Sequence, residues 1–312
     1  MFTKTQSLCR SLLACCLVLL GSLANAQAID YPTRTIKFVV PFPSGSGTDQ
    51  AAREAANDIT RRTGQPVIVE NKPGANGLIA AQQVARAAPD GYTVFITSMT
   101  TQSVNPFLYK KLPYDFQKDL APITTIALVP NVLVVNANTP AKNVAELVAL
   151  LKAKPGTYSY GSNGNGTAQH LIGTQFENMT ATDFSHIPYK GSGPLATDLL
   201  GGQITLMFGN WPEFRSHVQG GKLVALGMAT ASRSAYAPSI PTLAEQGYRL
   251  ESNSWNGLLA PVGTPDAVVQ KLNSEVNKAL TASAVVEAFQ KGGIASLSGS
   301  TGRSEEHTSE LQ

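Results

Sequence analysis

The side chains in this chain best suited to chemistry are neutral hydrogen-bond donors gathered into loops. Val39-Val40-Pro41-Phe42-Pro43-Ser44-Gly45-Ser46-Gly47-Thr48-Asp49 joins an apolar run to a helix start. The run Ile36–Val40 predicts a buried strand. Thr48 stands where a helix cap is expected, Asp49 falls in the first turn, and Ala-rich periodicity runs on to Gly64. The free N–H groups of the turn and of the helix end would face whatever lies beyond the strand, and such a place attracts a carboxylate. A single turn of this kind is equally well explained as an ordinary strand-to-helix connection in an open sheet.

The arrangement recurs. Asn71-Lys72-Pro73-Gly74-Ala75-Asn76-Gly77 follows a strand expected over residues 66–70 and precedes a helix over 78–88. Ser98-Met99-Thr100-Thr101-Gln102-Ser103 ends a third strand as a small, polar loop. Gly161-Ser162-Asn163-Gly164-Asn165-Gly166-Thr167 leads into a helix over 168–178. Tyr189-Lys190-Gly191-Ser192-Gly193-Pro194 and Gly209-Asn210-Trp211-Pro212 repeat the theme after strands at 184–188 and 204–208. The expected ligand contacts are Ser44, Gly45, Ser46, Thr48 and Asp49, joined by Thr100 and Thr101, on one side. Ser162, Asn163, Thr167, Gln169, His170 and Asn210 would close from the other. Asp49 also has a sufficient structural explanation as a first-turn acid. His170 is either a ligand contact or a structural hydrogen-bonder, and Asn210 either meets the ligand or caps the helix of Pro212. His186 falls within an apolar strand and suits the core. Lys190 either attracts an anion or is an ordinary exposed lysine. Trp211 and Trp255 either line the cleft or pack inside.

The chemistry missing from the chain narrows its function. There is no G-x-x-x-x-G-K-[ST] loop, no H-E-x-x-H, no clustered Cys/His pattern and no G-x-S-x-G elbow. No nucleophile partners His170. No catalytic residue, metal ligand or cofactor is therefore expected.

Residues 1–26 read as a secretory signal: Lys4 and Arg10, an apolar stretch over 12–23, and Ala24-Asn25-Ala26 before a cut at Gln27. The apolar run is short of the ~20 residues a membrane span needs. All three cysteines, Cys9, Cys15 and Cys16, lie inside this segment, so the mature chain must be held by its core. Residues 303–312 (Arg-Ser-Glu-Glu-His-Thr-Ser-Glu-Leu-Gln) depart from the preceding pattern and resemble the in-frame translation of a sequencing-library adapter. They are expected to be foreign to the fold and disordered. Removing both ends removes equal numbers of acids and bases and leaves the net charge at +3. With no basic run and no aromatic–basic interleaving, nucleic acid is not an expected partner.

Strand and helix signals alternate from Ile36 onward, which predicts an α/β fold with parallel sheets. Asn131-Val132-Leu133-Val134-Val135-Asn136 is apolar enough to cross between two lobes, and residues 255–260 read as a return strand. Asn143 with Glu146, and Thr242 with Glu245, form capping boxes. Thr264, Pro265 and Asp266 open a helix whose stripe of Val268, Val269, Leu272, Val276 and Leu280 is core packing. The expected organisation is lobe 1 from residues 27–131 with 250–302 and lobe 2 from 132–249. Ligands in such sheets sit at the carboxyl ends of the strands, which sets the six loops around one cleft.

Several stretches together resemble the substrate-binding receptors of the tripartite tricarboxylate transporters, also known as Bug receptors. They are Val40-Pro41-Phe42-Pro43; Gly64-Gln65-Pro66-Val67 through Glu70-Asn71-Lys72-Pro73-Gly74-Ala75; Ala88-Pro89-Asp90-Gly91-Tyr92-Thr93; Pro130-Asn131 to Asn136; Gly164-Asn165-Gly166-Thr167-Ala168-Gln169-His170-Leu171; Pro188-Tyr189-Lys190-Gly191-Ser192-Gly193-Pro194; and Ala260-Pro261-Val262-Gly263-Thr264-Pro265. The resemblance implies a type II periplasmic-binding-protein fold, two α/β lobes joined by a two-crossing hinge around a ligand cleft. It implies a periplasmic, monomeric receptor for a small di- or tricarboxylate, acidic amino acid or aromatic acid. It also implies a membrane partner of one large and one small integral subunit. A sensory protein reporting ligand occupancy would need the same closure, and an enzyme on this fold would need a nucleophile–base pair. Two points stand out. Met207-Phe208-Gly209-Asn210 has glycine where the family usually has aspartate, and the resemblance leads one to expect a further helical segment after residue 302.

Overall fold

The structure, a computed structural model, describes residues 30–297. The expected signal segment (1–26) and the adapter-like tail (303–312) lie outside these residues. In chain order the elements are β1 (Ile36–Val40), α1 (Gly47–Thr63), β2 (Val67–Asn71), α2 (Leu78–Ala85), β3 (Thr93–Ser98) and β4 (Leu120–Asn136). They continue with α3 (Val144–Ala153), β5 (Ser159–Ser162), α4 (Ala168–Thr180), β6 (Ser185–Pro188), α5 (Ser192–Leu200), β7 (Leu206–Asn210), α6 (Trp211–Gln219) and β8 (Leu223–Met228). β9 (Asn253–Pro261), α7 (Asp266–Thr281), α8 (Ser283–Gly292) and β10 (Ala295–Ser296) complete them.

The strands run in the order β2-β1-β3-β9-β4-β7-β5-β6, with β8 and β10 also paired to β4. β1 lies parallel between β2 and β3, with Phe38 opposite both Val69 and Val94. β5 lies parallel between β6 and β7. β9 returns antiparallel between β3 and the first part of β4. β4 therefore belongs to two lobes. Leu120 to Pro130 pairs with β9, and Asn131 to Asn136 pairs with β7 and β8.

The sequence predicts this crossing strand only from Asn131, but it begins eleven residues earlier, at Leu120. Pro122 and Pro130 argue against a strand there. The ladder to β9 accommodates the first by shifting register between Pro122 and Thr124, and it shifts again between Thr125 and Ala127. The return crossing packs against the same point. Ala229 N–H donates to Asn131 O (2.8 Å), Ser252 N–H to Ala229 O (2.9 Å) and Asn131 N–H to Ser252 O (3.3 Å).

The apolar run of β4 follows from burial on both faces. Val132 and Val134 join a core with Leu195, Met207, Trp211 and Phe214. Leu133 and Val135 point the other way, to Leu147, Phe176 and Phe208. A third core, with Val39, Leu78, Val84, Phe95 and Leu259, fills the first lobe. The stripe of α7 is buried as expected.

Both caps form: Thr242 and Glu245 exchange bonds in a full capping box (Glu245 N–H to Thr242 Oγ1 at 3.0 Å, Thr242 N–H to Glu245 Oε2 at 2.7 Å), while Asn143 Oδ1 accepts from Glu146 N–H at 2.9 Å and the Glu146 side chain takes Lys142 N–H at 2.7 Å instead of Asn143 N–H. Two expected caps do not. Ser46, not Thr48, caps α1, its Oγ accepting from Asp49 N–H at 3.2 Å. The Thr48 hydroxyl is used by Asn256 instead. Thr264 donates back to Pro261 O at 2.7 Å, leaving Pro265 at the start of α7.

Candidate functional site

Three strand ends of the first lobe are drawn together at Gly77. Its φ is +85°, and a Cβ there would stand 2.4 Å from the Thr101 methyl and 2.9 Å from Pro41 Cβ. Only glycine fits both the backbone and the space.

At the N-terminus of α1, Gln50 N–H closes the first helical bond on Ser46 O and Asp49 N–H is taken by Ser46 Oγ. Asp49 is 2% exposed. Its carboxylate accepts from Gly45 N–H (2.8 Å), Arg53 Nε (2.9 Å), Asn71 Nδ2 (2.8 Å) and Ser44 Oγ (3.4 Å). Burial by itself would raise its pKa. The bonds from Arg53, Gly45 and Asn71 outweigh that and hold the carboxyl below its usual range. Asp49 thus braces the Ser44–Ser46 turn against α1 and β2. Ser44 and Gly45 are exposed at the rim.

The loop expected at 98–103 is instead a tight π-helical turn, Thr100–Val104. The Thr101 hydroxyl donates to Ser98 O (2.8 Å) and accepts from Ser98 N–H (3.0 Å), so it closes the turn on itself. Thr100 is buried at the start of that turn.

In the second lobe the glycine loop after β5 is pinned by side chains. Thr167 caps α4, accepting from His170 N–H (3.3 Å) and donating to Gly164 O (2.8 Å). Ser162 Oγ accepts from Gly164 N–H (3.1 Å) and bonds His186 Nε2 (2.7 Å). Gly166 N–H donates to His170 Nδ1 at 3.0 Å, which requires that nitrogen to be unprotonated. The two imidazoles stack with centroids 4.2 Å apart. Burial lowers both pKa values. That of His186, with the neighbouring His170 adding to the effect, falls to about 4. His186 is half-buried beside the loop rather than sealed in the core.

The two lobes meet around Asn210. Its Oδ1 accepts from Gln169 Nε2 at 3.2 Å and from Ser254 Oγ at 3.0 Å. Its Nδ2 donates to Glu213 Oε1 at 2.9 Å. It does not cap α6 with its side chain. Ser192 Oγ donates to Glu213 Oε2 at 2.6 Å and receives Asn163 Nδ2 at 3.1 Å. Gly47 N–H, from the first turn of α1, reaches across to Glu213 Oε1 at 3.3 Å. Asn76 Nδ2 makes a second bridge, to Asn165 O at 2.7 Å. A Cβ on Gly209 would stand 2.6 Å from both Met207 Cε and Phe214 Cε2, so the Phe214 ring fills the place where an aspartate side chain would begin.

Of the expected contacts, Asn163, Gln169 and Asn210 converge where the lobes meet, close to the α1 turn carrying Ser46 and Thr48. Asp49, Thr101, Ser162, Thr167 and His170 spend their polar atoms on holding the loops. Glu213, Ser192, Ser254 and Asn256 were not expected. Ser254 and Asn256 lie two residues apart on β9 and therefore share one face of the strand.

Residues 51–308 match the family model of the tripartite tricarboxylate transporter family receptor. The chain belongs to this family. It is 38% identical to Protein BugT of Bordetella pertussis over 275 residues, covering 88% of this chain and 84% of that one. Its fold matches an R. palustris structure with adipate at a TM-score of 0.87 and 34% identity, over 90% and 95% of the two chains. It also matches MatC from Rhodopseudomonas palustris with bound malate at 0.82 and 29% identity, over 90% and 97%. The fold is therefore that of the type II periplasmic binding proteins. Members of the family are periplasmic solute-binding receptors, not enzymes. Among the described residues no helix is long and apolar enough to cross a membrane.

Proposed function

We propose that this receptor closes on a small organic carboxylate in the periplasm and delivers it to a membrane transporter of one large and one small integral subunit. One observation carries the reading. Where the lobes meet, a carboxylate is already received by neutral donors alone. Gly47 N–H, Asn210 Nδ2 and Ser192 Oγ hold Glu213. Among the described residues no Lys, Arg or His pairs with it. Charge-assisted bonds of this kind are worth roughly 1.5–3 kcal/mol each. A micromolar ligand needs only about 8 kcal/mol, so a few suffice after the cost of closure. Adipate and malate in the two related structures are acids of this class.

Ser46, Thr48 and Thr100 would meet the acid from the first lobe, and Asn163, Gln169 and Asn210 from the second. Asp49, Thr101, Ser162, Thr167 and His170 would act by shaping the loops, with Ser44 and Gly45 at the rim. The lobes would be 27–131 with 250–302, and 132–249, working as a monomer after cleavage near Ala26/Gln27. A thermal-shift screen against citrate, malate, adipate, aspartate, glutamate, nicotinate and benzoate, with matched amides, tests this. An acid at 100 times its Kd adds about 2.7 kcal/mol of stability. A folded protein stabilised by no acid, or equally by acid and amide, would overturn the reading.

A further inference from the structure

Glu213 stands in an unusual place for an acid in a receptor of acids. Its Oε1 takes the first amide of α1, Gly47 N–H, from across the lobe boundary. The adjoining Thr48 N–H has no acceptor among the described residues. Gly47 and α6 are close: a Cβ on Gly47 would be 4.0 Å from Pro212 Cγ. Glu213 also lies in the first turn of α6 itself. Two helix N-termini therefore share one carboxylate, and partial positive charge at both stabilises it. The other acid at this point, Asp49, is matched by Arg53 at 2.9 Å. Glu213 has neutral partners only among the described residues: Gly47 N–H, Asn210 Nδ2 and Ser192 Oγ.

We infer that Glu213 is a specificity-determining residue: its carboxylate competes with the ligand's for the α1 N-terminus and penalises any second negative charge on the ligand. The inference rests on the carboxylate-receptor reading above. Binding requires an acid to take Gly47 N–H from Glu213, which stays anchored on Asn210 and Ser192. The displaced carboxylate then lies beside the ligand. It repels a second carboxylate and attracts an ammonium or a hydroxyl donor. The ligand class that fits is a monocarboxylate carrying a hydrogen-bond donor, a hydroxy or amino acid, ahead of a fully ionised di- or tricarboxylate.

The test uses three six-carbon acids that differ only at the far end: adipate, hexanoate and 6-aminohexanoate. Their Kd values are measured by calorimetry on the wild type and on Glu213→Gln, which keeps shape and removes charge. A like charge within roughly 10 Å at an effective dielectric of about 20 changes affinity on the order of tenfold. Glu213→Gln should therefore tighten adipate about tenfold or more and hexanoate by a smaller factor. It should leave 6-aminohexanoate unchanged or weaker, because lost attraction offsets lost competition. Glu213→Ala, with folding checked by circular dichroism, should give the same order. Binding of these acids with no charge-ordered change in either variant overturns the role of Glu213 and leaves the receptor reading intact. Failure of the folded wild type and both variants to bind any of the three, or any acid of the wider panel, overturns both.

Discussion

Acid should loosen the glycine loop of the second lobe through His186 and His170. The loop is held by Ser162 bonded to His186 Nε2 and by Gly166 N–H donated to His170 Nδ1. The second bond exists only with an unprotonated Nδ1. Burial lowers the His186 pKa from 6.5 to about 4, and His170 beside it adds to the effect. A folded pKa below the unfolded one means that the unfolded chain binds more protons between pH 4 and 6.5. The stabilisation is then fully present above pH 6.5 and is lost as pH falls towards 4. A shift of this size corresponds to at most about 3 kcal/mol. The ring is partly open to solvent, so a loss of about 1 kcal/mol is expected. The perturbation is His186→Phe, which keeps the ring contacts to Tyr160 (4.7 Å) and His170 (4.2 Å) and removes the titrating group. Urea unfolding at half-unit steps from pH 7.5 to 4 measures it. The variant should start about 1 kcal/mol lower, for the lost Ser162 bond, and should fall less steeply. Hydrogen exchange at Gly164 and Gly166 should accelerate in the wild type over the same interval. Parallel stability curves for the two proteins would show that His186 does not carry the acid response of the loop.

Three other changes probe the scaffold. Asn210→Ala removes the shared partner of Gln169, Ser254 and Glu213, and should cost about 2–3 kcal/mol in urea unfolding while weakening acid binding by calorimetry. Burial of Glu275 would raise its pKa, but bonds from Lys271, Arg62 and Lys278 hold it down to about 2. Glu275→Gln should cost about 2–4 kcal/mol at pH 7, and the difference should vanish as pH falls from 4.5 towards 2, where the wild-type carboxylate is itself protonated. A Cβ on Gly173 would meet the Tyr160 ring at 2.2 Å, so Gly173→Ala should lower stability by about 1–3 kcal/mol, read as a reduced Tm.

Local signals carried most of the fold. The alternation of apolar runs and capped helices set out β1 to β3 and β5 to β8, because most of these strands carry buried apolar residues and each helix is announced within a few residues of its start. The caps at Asn143 and Thr242 are contacts of three residues' span, so sequence alone resolves them. Ser46 and Thr48 are both good caps, and the choice between them was made by Asn256, more than two hundred residues away, which claims the Thr48 hydroxyl. The early part of β4 was hidden for a similar reason. Pro122 is accommodated by a register shift against β9, a distant partner that the local sequence does not announce.

The site was legible as a set of loops but not as a set of roles. Donor-rich composition picked out Asn163, Gln169 and Asn210, which the structure sets where the lobes meet. It could not say that Asp49 and Thr101 turn inward to brace their own turns, since that depends on Arg53, Asn71 and the π-helical geometry at Thr100–Val104. Glu213 was overlooked because a first-turn glutamate is ordinarily explained by its own helix dipole. Its second partner, Gly47, comes from the other lobe.

The most direct test of the central claim is a crystal structure of the mature protein with the acid that most raises its Tm. One ligand carboxylate should lie between the lobes, within hydrogen-bond distance of the Gly47 and Thr48 amides, with no arginine or lysine in contact and Glu213 withdrawn from Gly47 while still held by Asn210 and Ser192. An acid bound elsewhere, or held in the cleft by a basic side chain, would contradict the account.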